Sequence, residues 1–76
     1  MSMRNIEQEE EWEGECTYVR QTAKAVLVDY EGEEIWVPKS LLRPGSPTDE
    51  DLQMLTEGQD ITVVLPVWFA KQEGLV

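Results

Sequence analysis

The chain contains no histidine and a single cysteine, Cys16. Without histidine it lacks the commonest general base near neutral pH and the usual zinc ligand. One cysteine makes no internal disulfide and no thiolate metal site, so a small domain has to be held by its core alone. Long apolar runs are missing too, falling far short of the roughly 20 residues needed to cross a bilayer. No charged-then-apolar leader opens the sequence. A soluble cytoplasmic protein without membrane contact is expected.

Basic residues are scarce. Six stand against 16 acids, a formal charge of −10 on 76 residues. Repulsion from phosphate makes direct nucleic-acid binding unfavourable, whereas a basic protein surface, including one that normally holds nucleic acid, would be attracted. The length is that of one domain, and nothing in the chain sets an oligomeric state.

What is abundant is glutamate at every second position of "IEQEEEWEGECTY": Glu7, Glu9, Glu11, Glu13 and Glu15. Trp12, Cys16 and Tyr18 have the other parity. On a strand, alternate side chains share a face, so the carboxylates form a row and the aromatic and thiol groups turn toward a core. Residues 1–6 have no period and 5–10 remain open between helix and strand, but Gly14 and the Thr17–Val19 run favour strand across 10–21.

"AKAVLVDY" (23–30) is apolar on both faces and reads as a central strand. "EGE" (31–33) is a turn, and "EIWVPKSLL" (34–42) returns as the hairpin partner. Pro38 there marks an edge or the end of pairing. Prolines and a glycine at 44–47 make a loop, and Thr48 caps a short helix at 49–56 whose first turn holds Asp49, Glu50 and Asp51. "ITVVLPV" (61–67) is the last strand, and "WFAKQEG" a helical turn closed by Gly74 with Leu75 and Val76 folding back. The expected fold is mainly β: a small, strongly bent antiparallel sheet or an SH3/OB-like barrel, with one or two short helical turns.

Two segments carry a resemblance. "TAKAVLVDYEGEEIWVPKSLL" and "PVWFAKQEGL" resemble small uncharacterised proteins of bacteriophages and prophages, in which A-x-L-V leads through an acidic turn into W-x-P-K-S and the chain closes on P-x-W-hydrophobic-A and G-L. The resemblance implies a compact β-rich fold, a bacterial host cell and genes for DNA metabolism or host interference nearby. Here the 43–60 stretch is longer than in that pattern, which points to it and the Glu-rich start as the places of chain-specific function.

No catalytic residue, cofactor or metal is expected. Lys39-Ser40 lacks the helical spacing of a lysine-activated serine. Lys39 is expected to face water and Ser40 to bond nearby backbone. "TDEDLQ" has neither the glycine nor the later glutamate of a calcium loop. Trp36 and Trp68 are assigned to the core, whereas Trp12, beside the acidic row, is a candidate anchor. The candidate partner-binding set is therefore Glu9, Glu11, Trp12, Glu13 and Glu15, widened by Asp29, Glu31, Glu33 and Glu34 at the hairpin tip. The functional expectation is an acidic interaction module, not an enzyme. It would bind and block a basic, nucleic-acid-handling host protein such as a CRISPR effector, imitating nucleic acid. The alternative is a non-inhibitory accessory domain of phage recombination or replication.

Overall fold

The computed structural model describes residues 10–76. Strands β1 (Glu11–Gln21), β2 (Ala25–Tyr30), β3 (Glu33–Pro38) and β4 (Asp60–Pro66) form one antiparallel sheet in the order β3-β2-β1-β4. β3 and β4 end that order and do not pair with each other, so the sheet is open and the closed-barrel form of the expectation is not the one adopted. Two short helices, α1 (Asp49–Gln53) and α2 (Val67–Gln72), and a 3-10 turn at Lys39–Leu41 complete it.

β1 is long because it serves two partners. Its first half, Glu11 to Thr17, pairs with β4, and its second half, Thr17 to Gln21, pairs with β2. Within β1, Thr17 has register partners on both sides, Asp29 and Asp60. A bulge at Val19 follows, where the register steps from Tyr18↔Val28 to Arg20↔Leu27. Under strict alternation Arg20 would share the parity of Tyr18 and point into the core. The extra residue resets the parity, placing Arg20 on the outer face and Gln21 on the inner one.

The inner face holds the core. Cys16 and Tyr18 of β1, Val26 and Val28 of β2, Ile35 and Val37 of β3, and Ile61, Val63 and Leu65 of β4 are all buried there. Leu52 of α1 and Phe69 of α2 cover them, each at most 4 % exposed. As expected, β2 is a central strand and Pro38 ends the edge strand β3. Thr48 caps α1 with a full capping box: its hydroxyl accepts from Asp51 N–H, and the Asp51 carboxylate accepts from Thr48 N–H. That helix is shorter than the expected 49–56. After Gln53 the backbone turns twice more, and Gly58 N–H bonds to Tyr18 C=O.

α2 ends as read from Gly74, which has φ 78°. Leu75 N–H reaches Ala70 C=O and Gly74 N–H reaches Lys71 C=O, satisfying the helix's last carbonyls. Leu75 folds back on the core, but Val76 stays exposed. The two other tryptophans also depart from expectation. Trp68 is 52 % exposed, its ring edge-on to Phe69, which takes the core place instead. Trp36 is 43 % exposed because its parity on β3 is opposite to that of Ile35 and Val37.

Gly14 lies on the inner face, beside Trp12. A Cβ there would stand 2.6 Å from Cζ2 of Trp12, whose ring lies over the glycine and meets Tyr30 edge-on at 5.2 Å. Gly14→Ala should therefore cost about 1–3 kcal/mol in urea unfolding, although alanine suits a strand better than glycine. In the Trp12→Ala background that cost should vanish. At the hairpin tip Glu31 has φ 52° and Gly32 φ 91°, the two positive values of a tight turn that prefers Asn-Gly. Glu31→Asn should raise stability by about 0.5–1 kcal/mol, read as a higher urea midpoint at unchanged slope.

Candidate functional site

The acidic row forms as strand parity dictates. Glu11, Glu13 and Glu15 are exposed on the outer face, and their register partners on β4 are Pro66, Val64 and Thr62. None of these three register partners is basic. Beyond Thr17 the acidic surface widens in two directions. Asp60 of β4 accepts a 3.4 Å bond from the Thr17 hydroxyl. On the other side Asp29 pairs with Thr17, and Glu34 pairs with Asp29. Two carboxylates directly opposite each other on a sheet repel, and the fold bears that cost here.

Of the residues singled out in the sequence, Glu11, Glu13, Glu15, Asp29 and Glu34 thus share one face. Glu31 sits in the turn, and Glu33 has the parity of Ile35 on the opposite side, though it is exposed. Trp12 is half-buried on the inner side, against Tyr30 and the core, and is not flanked by the row on the same face. Glu9 lies outside the described residues. Asp29 has a structural task as well, accepting Gly32 N–H at 2.9 Å to brace the turn.

Sequence reasoning missed Asp60, whose place beside Thr17 depends on the β1–β4 register. It also missed a second feature of the outer face. Arg20, Leu27 and Trp36 lie side by side across three strands. The Arg20 guanidinium sits 5.7 Å from the Trp36 ring centre, and Leu27 between them is 3 % exposed. The cation and the ring shield a leucine that the strand's parity turns away from the core.

Lys39 differs from expectation. Its Nζ donates to Gln21 Oε1 at 2.8 Å instead of simply facing water. Gln21 Nε2 in turn donates to the Tyr18 hydroxyl at 2.9 Å and to Leu52 C=O at 2.8 Å. The 43–60 segment is tied down at its start also. Arg43 N–H and the Ser46 hydroxyl donate to Val64 C=O, and Val64 N–H donates to Ser46 Oγ. Ser40 is exposed, and its carbonyl accepts from Arg43 Nη1 at 3.3 Å. Among the described residues no three acidic or thiol groups converge to hold a metal ion, and no helix is long and apolar enough to cross a membrane.

Comparison of the chain with known protein families, with curated proteins and with solved structures finds no match.

Burial raises the Cys16 thiol from its usual 9.0 to about 11, with Asp29 adding to the rise. Partial burial and the adjoining Glu31 carboxylate also raise the Tyr30 hydroxyl. At neutral pH Cys16 is a protonated, buried thiol and a poor nucleophile. The shift fixes a sign. Above pH 9 the unfolded chain ionises its thiol while the folded chain resists, so the stability from keeping it neutral is complete below about 9 and lost as pH rises through 11. Urea unfolding of wild type should therefore weaken more steeply between pH 9 and 11 than that of Cys16→Ala, which lacks this component.

Proposed function

We propose that this is an acidic, phage-encoded interaction module that binds a basic, nucleic-acid-handling protein of the host cell and blocks it, in the manner of an anti-CRISPR inhibitor. The observation that carries the reading is the row Glu11, Glu13, Glu15, exposed on one face with no base opposite in register. Alternate residues on a strand are about 6.8 Å apart. Phosphates along one nucleic-acid strand are separated by a comparable distance, roughly 6–7 Å. A groove built to track a phosphate backbone can therefore engage the carboxylates in sequence. Asp60, Asp29 and Glu34 broaden the field that such a groove would meet. The resemblance to phage and prophage proteins supports the source, and the charge supports the class of target.

The experiment is capture from bacterial lysate on immobilised protein, identification of the partner, and association kinetics. Replacing Glu11, Glu13 and Glu15 together by Gln should slow association about tenfold or more and flatten its salt dependence, with little change in dissociation. The fold should be as stable or more so, because the register partners of these carboxylates are uncharged and their mutual repulsion is relieved. Equal association rates for the variant and wild type would reduce the row to a solvated face. A partner that keeps its activity when bound would make the module an accessory subunit instead of an inhibitor.

A further inference from the structure

The two edges of the sheet are treated differently. Along β4 the outward N–H and C=O of Val64 are taken by Arg43 and Ser46. Along β3 nothing comparable exists among the described residues. Antiparallel pairing alternates which residues bond inward, and Lys39 N–H bonding to Lys24 C=O fixes the phase. Glu33, Ile35 and Val37 therefore bond to β2, while Glu34 and Trp36 direct their N–H and C=O outward. The same two residues put their side chains on the outer face, Glu34 as an exposed carboxylate and Trp36 as a partly open ring.

We infer that the β3 edge is a strand-addition site for an extended basic segment of a partner protein. The charge along the edge is polarised. Glu31, Glu33 and Glu34 crowd the tip, whereas Lys39 and Lys24 stand at the other end. Pro38 lacks an N–H and stops pairing there, so a bound strand is confined to the stretch from Glu33 to Val37. An antiparallel strand on this edge would exchange both main-chain bonds with Trp36 and both with Glu34. Alternation then sets its side chains. The residue opposite Trp36 rests on the ring and is apolar. The residue two places on faces Glu34, the next faces Glu33, and both are Lys or Arg. A second copy of this chain fits less well, because it approaches with another −10. The inference rests on the reading of a basic partner, and adds the edge at which that partner is held.

The test uses the full chain and a blocked peptide, acetyl-Thr-Val-Val-Arg-Lys-amide, whose first valine would lie opposite Trp36. Amide exchange at Glu34 and Trp36 should slow at least about tenfold when the peptide is in excess, while that at Glu13 does not. N-methylation of the first valine, which removes a donor aimed at β3, should weaken binding about tenfold, whereas N-methylation of the second, aimed away, should change little. Replacing Arg-Lys by Glu-Glu should abolish protection. Absence of slowing at Glu34 and Trp36, or equal protection by the acidic peptide, overturns the inference. Protection that grows with protein concentration alone assigns the edge to a second copy and overturns it also. The two readings fail separately. A partner captured in a salt-sensitive way that leaves Glu34 and Trp36 unprotected sinks the edge alone. Peptide protection without any basic protein captured sinks the functional reading alone.

Discussion

Everything in this small sheet hangs on the alternation of side chains along β1. One strand has to give its first half to β4 and its second half to β2, with Thr17 as the hand-over. Alternation sends Trp12, Cys16 and Tyr18 inward and Glu11, Glu13 and Glu15 outward. A slip of one residue would bury three carboxylates and expose the core, so register is strongly enforced. The acidic face and the core are thus two sides of one constraint. Charge on one side does not have to be balanced by charge on the other.

That constraint makes much of the fold legible in the sequence. The β2–β3 hairpin, the central place of β2, the Thr48 cap and the Gly74 terminus each follow from a local pattern with a physical cause. The row of glutamates was legible for the same reason. What was not legible depends on neighbours in space. The bulge at Val19 breaks the period without a glycine to announce it. Trp36, in the middle of a strand, is expected in the core, yet its parity turns it outward, where Arg20 accompanies it. Of the adjacent Trp68 and Phe69, only the angle at which α2 leaves β4 decides which is buried. Asp60 joined the acidic surface only through the pairing of β4 with β1.

The long 43–60 segment illustrates how placement changes a reading. From its sequence it stood out as a chain-specific addition and a place to look for function. In the fold it supplies Leu52 to the core and bonds to Val64 at the sheet's border. Three of its five acids, Asp49, Glu50 and Asp51, sit in the first turn of α1, where the helix dipole favours them. The segment's contacts are those of support: besides Val64 it bonds to Tyr18 and Gln21 of β1, and Asp60 at its end joins the charged outer face.

The Gln21 side chain gives that support an unexpected reach. Its amide joins Lys39, Tyr18 and the Leu52 carbonyl, so one polar group on the inner face ties α1 to the sheet. Because the same amide accepts from Lys39 and donates to α1, one side chain couples the end of β3 to the helix, and a shorter residue at position 21 would undo both links at once.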